Sequence, residues 1–231
     1  MAKGTIGLGQ YRGKVGGQVL RVVDGKQVMQ AYQPIVRNPD TIPQQMQRAA
    51  MKVLGGLSRA FLVTLREGYG GVYPASEFIK NNISRNSGAL SIVTPEDVTI
   101  RYAGLKLTNE KAGGLVVVAG GQVDWGEAQH LVLSCPMNVT IAESVDRSRV
   151  RVHMVAYCPD MRMSVLGNPV ATTAQAATVA VPDSWDGMDV HAWLFATIAE
   201  EGMDPDAFDQ STLRLPKMAG GQEYLGQGEV A

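Results

Sequence analysis

The sequence predicts a mainly β protein of the α+β class: an N-terminal arm, a β-hairpin and one amphipathic helix, followed by an immunoglobulin-like antiparallel β-sandwich. Composition supports this class, because 26 Gly and only 6% aromatic residues in a chain of 231 are typical of turn-rich β proteins. One stretch has apolar residues at helical spacing, and many short apolar runs separated by turn residues follow it. The predicted division is a basic module in residues 1–70, connecting strands in residues 71–113 and the sandwich in residues 114–231.

The first 18 residues are predicted to form a flexible arm. Six Gly lie between Gly4 and Gly17, and Gly is costly to order and offers no side chain to pack. We therefore expect the arm, Met1 to Gln18, to be ordered only by contact with another chain. Next, Asp24-Gly25 lies between two apolar runs, which predicts a hairpin with a two-residue type I′ turn. Such a turn pairs Val23 with Lys26, Arg21 with Val28 and Leu20 with Met29.

The segment from Thr41 to about residue 67 is predicted to be a helix that ends at Gly68. Thr41 and Gln44 have the spacing of a capping box. Apolar residues recur along one face: Met46, Ala50, Val53, Leu54, Leu57, Phe61 and Leu65. We expect this face to pack against the hairpin, the β body or a neighbouring subunit. Gly55-Gly56 weakens the middle of the helix and predicts a kink or a close approach there.

After the helix, short apolar or alternating runs predict strands rather than further long helices. The predicted strands are Ala89–Val93, Val98–Tyr102, Gly114–Val118, Gln122–Trp125, Leu131–Cys135, Arg149–Tyr157, Met161–Leu166, Ala176–Val181, Val190–Ile198 and Tyr224–Val230. Many short strands at regular spacing indicate a sandwich or a barrel. The segment from about Gly114 onward has the length of one immunoglobulin-like sandwich.

The stretch VPDSWDGMDVHAWLFATI, residues 181–198, predicts a corner followed by a strand. Trp185 is expected to fill the end of the sandwich while Asp186-Gly187 turns. The run Val190–Ile198 is apolar on both faces, which predicts a central strand. The corner has the form of the one before strand F in immunoglobulin-type sandwiches, without its tyrosine. Residues 199–222 form an acidic excursion that we expect to be a contact loop.

Charge is distributed unevenly along the chain. Residues 1–67 contain ten Lys or Arg and three Asp or Glu, whereas residues 68–231 contain eleven and nineteen. Four cations fall on the helix face opposite the apolar stripe, and two precede the hairpin. These candidate partner-binding residues are Arg12, Lys14, Arg48, Lys52, Arg59 and Arg66. We expect them to contact an acidic protein surface, with nucleic acid phosphates as the second choice. A solvated helix face, or a basic module docked on its own acidic body, are the alternatives.

Residues that carry chemistry form no recognisable catalytic, cofactor or metal pattern in the sequence. His130, His153 and His191 stand alone in predicted strands, so structural or surface roles are expected. Cys135 and Cys158 are expected to be free thiols, since the polar N-terminus predicts a cytoplasmic origin. The motifs GxSxG, CxxC and the Walker loop are absent. We therefore predict no enzyme activity and no cofactor.

Three aspartates in one segment suggest a calcium site as an alternative. Asp204, Asp206 and Asp209 resemble a loose cation-binding loop. They lack the ligand spacing and the sixth-position Gly of an EF-hand, so no metal site is predicted.

Several blocks in a fixed order resemble one protein family. They are GQYRGKVG, the Asn38–Arg48 block NPDTIPQQMQR, FIKNN, WDGMDVHAWLF and the terminal EYLGQGEVA. The chain resembles a domain-of-unknown-function family of gut Bacteroidetes and their phages over most of its length. The Asn38–Arg48 block is the most specific part. The resemblance implies a non-enzymatic protein that is a component of a phage virion.

The resulting expectation is a structural or assembly protein: a capsid decoration, a fibre base or a connector. The N-terminal module would mediate assembly, as a homo-oligomer or within a virion, and the sandwich would be displayed. A nucleic-acid-binding protein that uses the basic N-terminal third is the alternative. The polar N-terminus and the lack of an apolar run of 18 residues predict a virion or host-cytoplasm location and no membrane partner.

Overall fold

The computed structural model of the protein describes residues 12–32, 40–70, 73–84, 87–111, 113–126, 131–202 and 217–230. The chain divides into two compact units, Met1–Thr41 and Ile42–Ala231. This division falls at Thr41, whereas the sequence-based division places a boundary at residue 70. The predicted helix therefore belongs to the same unit as the β body.

The first unit contains a three-stranded antiparallel sheet of β1 (Gly13–Val15), β2 (Gln18–Val23) and β3 (Lys26–Ala31). All three predicted hairpin pairs are present. Asp24 and Gly25 have φ values of 50° and 72°, as a type I′ turn requires. The sequence therefore specifies both the turn and its register.

Part of the predicted arm is an intramolecular strand. Residues 13–15 pair with Gln18–Leu20 of β2 across the turn at Gly16-Gly17. The expectation that the arm is ordered only by another chain is wrong for these residues. Backbone pairing, which needs no side chain, supplies the contacts that the glycines cannot. The rest of the predicted arm, residues 1–11, lies outside the described residues.

The second unit begins with three helices: α1 (Ile42–Ala60), α2 (Leu62–Tyr69) and α3 (Pro74–Asn82). The predicted single helix is broken at Phe61, which has φ −91° and ψ 14°. Both glycines of the predicted kink or close approach lie within α1, and the close approach is wrong, because a Cβ atom at Gly55 or Gly56 would meet nothing within 4 Å. The Phe61 ring packs between Tyr157 and Trp193, with centroid distances of 4.8 and 5.7 Å. We infer that the packing of Phe61 against Tyr157 and Trp193 determines where the helix is interrupted.

The predicted apolar face of the helix is buried. Ala50, Leu54, Leu57, Phe61 and Leu65 are each at most 4% exposed. The helix ends two residues later than predicted, at Gly70 in the left-handed conformation, with φ 57°. Gly68 instead lies against the backbone of Leu107, where a Cβ atom would be 2.3 Å from the carbonyl oxygen.

The strands of the second unit are β4 (Leu90–Ile92), β5 (Val98–Ile100), β6 (Val116–Gly120), β7 (Val132–Ile141), β8 (Val150–Cys158), β9 (Met163–Leu166), β10 (Val170–Ala171), β11 (Ala176–Ala180), β12 (Asp189–Ala199) and β13 (Lys217–Glu229). One sheet has the order β10-β8-β12-β13, and β9 also pairs with β8. A second sheet has the order β11-β7-β6, and β4 pairs with β5. Every one of these pairings is antiparallel, so the predicted mainly β, α+β class is confirmed.

Strands β8 and β12 are buried on both faces, and for β12 this confirms the predicted central strand Val190–Ile198. Side chains on one face join the second sheet in a core cluster that includes Val118, Leu133, Met154, Leu194 and Trp185. Side chains on the other face join the helices in a second cluster that includes Leu57, Phe61, Tyr157, Trp193 and Phe195. The central sheet is therefore covered by β strands on one side and by helices on the other.

Several strand predictions need correction. Residues 122–125, predicted to be a strand, make a single bridge, between Asp124 and Ser134. The helix α3 was not predicted, because its nine residues are too few to establish a helical period. Burial of Trp185 is confirmed, since it is fully buried. The paired sheets are compatible with a β-sandwich, and the immunoglobulin-like connectivity stays a prediction.

Among the helices that the structure describes, none is long and apolar enough to cross a membrane.

Candidate functional site

A groove of about 730 Å³ opens in the second unit between α1, the β4–β5 hairpin and the turn after β8. Its volume lies in the range of about 300–1,000 Å³ that is common for binding clefts. Val53 and Leu57 of α1 form one wall, and Val98 and Ile100 of β5 form part of the opposite wall. The fold thus builds a concave surface from segments that are distant in sequence.

Three cations line this groove and a smaller cavity beside it. Lys52 and Arg162 line the groove, and Arg59 and Arg162 line the adjoining cavity of about 300 Å³. All three side chains are exposed. We call this continuous surface, defined by Lys52, Arg59 and Arg162, the basic groove. One carboxylate, Glu96, also lines it, so the basic groove carries a net positive charge.

The structure brings only two of the six predicted site residues into the basic groove, Lys52 and Arg59. Arg48 is exposed on α1 and Arg66 on α2, beyond the break at Phe61, and neither lines the groove. The other two belong to the first unit. There, Arg12 is exposed and Lys14 places its Nζ 3.6 Å above the ring of Tyr32, a cation–π contact.

Arg162 is the groove cation that sequence reasoning missed. It ends the turn after β8, where its backbone N–H donates to the carbonyl of Pro159 at 3.2 Å. Its φ of 51° is left-handed, a conformation that costs a non-glycine residue free energy. Pro159 and Asp160 indicate a turn in the sequence. They do not indicate that Arg162, at the end of this turn, lies beside Arg59 of α1.

Two tyrosines line the groove next to these cations. Burial raises the pKa of Tyr157 to about 12, and the nearby charge of Arg162 opposes this increase. Burial also raises the pKa of Tyr102, against a hydrogen bond with Tyr157 that lowers it. Both phenols are therefore neutral at physiological pH and can offer hydroxyl groups as hydrogen-bonding partners.

A buried histidine, His191, packs against the groove residue Tyr102. The ring of His191 stacks on Tyr102, and its Nδ1 is hydrogen-bonded to the hydroxyl of Tyr224 at 2.8 Å. Burial lowers the pKa of His191, with the negative charge of Asp189 acting in the opposite direction. The neutral ring is therefore a rigid support for Tyr102. The sequence could not reveal this role, because Tyr102 and Tyr224 come from segments distant from His191 in sequence.

Exposed apolar side chains lie on the segments that contribute to the basic groove. Val93 is 67% exposed, Met161 is 39% exposed and Met163 is 47% exposed. Met163 lines the smaller cavity beside Arg59. Arg and Met are enriched in protein–protein interfaces, whereas exposed apolar groups do not favour contact with phosphates. This combination is typical of a surface that binds another protein.

The remaining candidate residues lie elsewhere. His153 is buried in β8 and hydrogen-bonded to Thr197 at 2.9 Å. Cys135 and Cys158 are buried free thiols, as predicted. Burial raises the pKa of Cys135. Among the described residues, no group of three His, Cys, Asp or Glu side chains could hold a metal ion. His130 and the predicted loop with Asp204, Asp206 and Asp209 lie outside the described residues.

Comparison of the chain with protein-family models, with curated proteins and with solved structures finds no match.

Proposed function

We propose that this chain is a non-enzymatic assembly protein, a structural component of a phage particle, that binds an acidic protein surface through the basic groove. The observation that carries this proposal is the convergence of Lys52, Arg59 and Arg162 on one concave surface with exposed apolar side chains at its edge. The resemblance to proteins of gut Bacteroidetes and their phages supports the phage context. An immunoglobulin-like body would be the displayed module.

The proposal predicts association that depends on charge. Opposite charges attract over about 10 Å at 0.1 M salt but only about 3 Å at 1 M. The full-length chain is therefore expected to form oligomers at low salt that dissociate at 1 M salt. Light scattering coupled to size-exclusion chromatography measures the mass in both conditions.

A triple variant of the groove tests whether these residues mediate the association. Lys52→Glu, Arg59→Glu and Arg162→Glu together should leave a folded monomer at low salt. A matched control, Arg48→Glu, Arg66→Glu and Lys111→Glu, changes the net charge by the same amount at exposed sites outside the groove. Association that survives the groove variant, or is lost equally in the control, would contradict a role for this surface.

Single-stranded nucleic acid is a second candidate ligand. The observation that favours it is the position of the partly exposed Tyr102 beside Lys52 and Arg162, because an aromatic ring next to cations can stack on a base. Fluorescence anisotropy with a labelled 20-nucleotide poly-dT strand tests it. Binding that falls steeply with salt and is lost in the groove variant would favour this function over protein assembly.

A further inference from the structure

We infer that the acidic surface bound by the basic groove is the corner before β12 of a second copy of this chain. This inference rests on the proposed function and names the partner. The corner carries Asp183, Asp186 and Asp189, and Glu229 lies opposite Asp189 in the β12–β13 pair. All four carboxylates are exposed.

The acidic corner, defined by these four carboxylates, is held rigidly. The side chain of Trp185 is fully buried beneath it. The backbone N–H of Gly187 donates to the carbonyl of Val230 at 2.8 Å, and that of Met188 donates to the carbonyl of Trp185 at 2.9 Å. Because its backbone is fixed in this way, the corner loses little backbone conformational entropy on binding.

The acidic corner and the basic groove lie at the same end of the central sheet. His191 of β12 pairs with Tyr157 of β8, and Tyr157 lines the groove. Asp189 precedes His191 by two residues on the same strand. A surface with adjacent acidic and basic parts is self-complementary. A two-fold axis between the parts places the acidic part of one copy opposite the basic part of the other.

Charge balance supports pairing between copies. The groove presents three cations against Glu96, and the corner presents four carboxylates. In the part of the chain that the structure describes, no ion pair joins the corner to the groove. Contact between two copies therefore gives these charges opposite partners without breaking existing ion pairs.

A charge exchange on the full-length chain tests the inference. Asp183→Lys, Asp186→Lys and Asp189→Lys together should weaken self-association at low salt by about tenfold or more in Kd, as should the groove variant Lys52→Glu, Arg59→Glu and Arg162→Glu. An equimolar mixture of the two variants should restore association as a heterodimer. Light scattering gives the mass, and circular dichroism checks that both variants are folded.

A control and the remaining outcomes separate this inference from the proposed function. Glu143→Lys, Glu200→Lys and Glu201→Lys change the charge equally at exposed sites outside the corner and should leave association intact. If the groove variant dissociates the protein and the corner variant does not, or if the mixture fails to restore association, the corner is not the partner although the groove still mediates assembly. If neither variant changes the mass, or the wild type is monomeric at low salt, both proposals are overturned.

Discussion

The ring of Tyr102 stacks on the ring of His191, with centroids 3.8 Å apart and planes 25° apart. This contact joins the groove to the central strand β12. Burial lowers the pKa of His191 below 6.5, because a charged ring loses hydration in this position. The imidazole that stacks on Tyr102 is therefore neutral at physiological pH.

Stability is expected to fall as the pH is lowered through 6.5. Above this value His191 is neutral in both states, and the full stability is present. Below it the unfolded chain binds a proton that the folded chain does not, until the pH falls below the lowered pKa of the folded state. Urea melts at pH 7.5, 6.5 and 5.5 measure this for the wild type and for His191→Asn, whose amide can replace Nδ1 but does not titrate. If both proteins show the same pH dependence, His191 does not control it.

Gln222 is expected to be a major structural residue. Its Oε1 accepts from the backbone N–H groups of Leu107 and Thr108 at 2.7 and 3.1 Å, and its Nε2 donates to the carbonyl of Leu105 at 2.7 Å. Gln222→Leu leaves these groups without partners and should cost about 1–3 kcal/mol of unfolding free energy. Urea melts measure the loss, with Gln227→Leu on the exposed side of the same strand as control. A loss equal to that of the control would mean that water replaces these bonds.

Local patterns in the sequence predict the elements whose signals are contained within one segment. Asp24-Gly25 specifies the hairpin and its register, since a type I′ turn allows one pairing. The apolar spacing from Ala50 to Leu65 specifies the buried helix face. The two-sided apolar run Val190–Ile198 specifies the central strand. In each case the signal lies within one continuous segment of the chain.

The groove could not be predicted, because it is formed by segments that are far apart in sequence. Helical spacing correctly grouped Lys52 and Arg59 but also included Arg66, which the break at Phe61 separates from them. Arg162 joins them only through the turn after β8. Tyr102 and Tyr157 lie near these cations in space although no aromatic residue interleaves with them along the helix.

Trp185 is expected to contribute strongly to stability. Its side chain is fully buried in the core between the two sheets. Trp185→Ala should cost about 3–5 kcal/mol, because the removed ring leaves a cavity that the neighbouring strands cannot fill. Urea melts measure the cost, and Ser184→Ala at the exposed neighbouring position is the control. A loss below about 1 kcal/mol would mean that the corner does not depend on this ring.

Alanine should stabilise the protein at Gly55 and Gly56 and destabilise it at Gly68. At Gly55 and Gly56 a Cβ atom meets nothing within 4 Å, so alanine should stabilise α1 by about 0.5–1 kcal/mol at each position. At Gly68 a Cβ atom would lie 2.3 Å from the carbonyl oxygen of Leu107, so alanine should destabilise. Thermal melts of the three variants measure the effects. A stable Gly68→Ala variant would show that the segment at Leu107 can move away.

Comparing alanine at Gly56 with alanine at Gly55 distinguishes an effect on helix stability from an effect on the binding surface. Gly56 lines the basic groove, whereas Gly55 does not. Both alanine variants should be equally stable, but only Gly56→Ala places a methyl group on the binding surface. We expect weaker self-association for Gly56→Ala than for Gly55→Ala by light scattering. Equal association would indicate that the partner does not approach the α1 backbone.

Arg162→Gly should separate folding from assembly. Arg162 has a φ of 51°, a conformation that costs an L-residue roughly 1–2 kcal/mol and glycine almost nothing. Replacement by glycine also lowers the free energy of unfolding by about 0.5–1 kcal/mol, because glycine gives the unfolded chain more conformational freedom. The free energy of unfolding should therefore stay unchanged or rise by up to about 1.5 kcal/mol, while self-association weakens because a groove cation is lost.

The matched control for this variant is Glu110→Gly. Glu110 has a similar φ of 49° and lies outside the groove, so glycine there relieves the same backbone conformation without removing a groove charge. Its association should equal that of the wild type. Urea melts and light scattering on both variants give the comparison. A protein with a binding role can retain an unfavourable backbone conformation where the side chain is needed. Destabilisation of Arg162→Gly together with unchanged association would instead show that Arg162 serves the turn and not the partner.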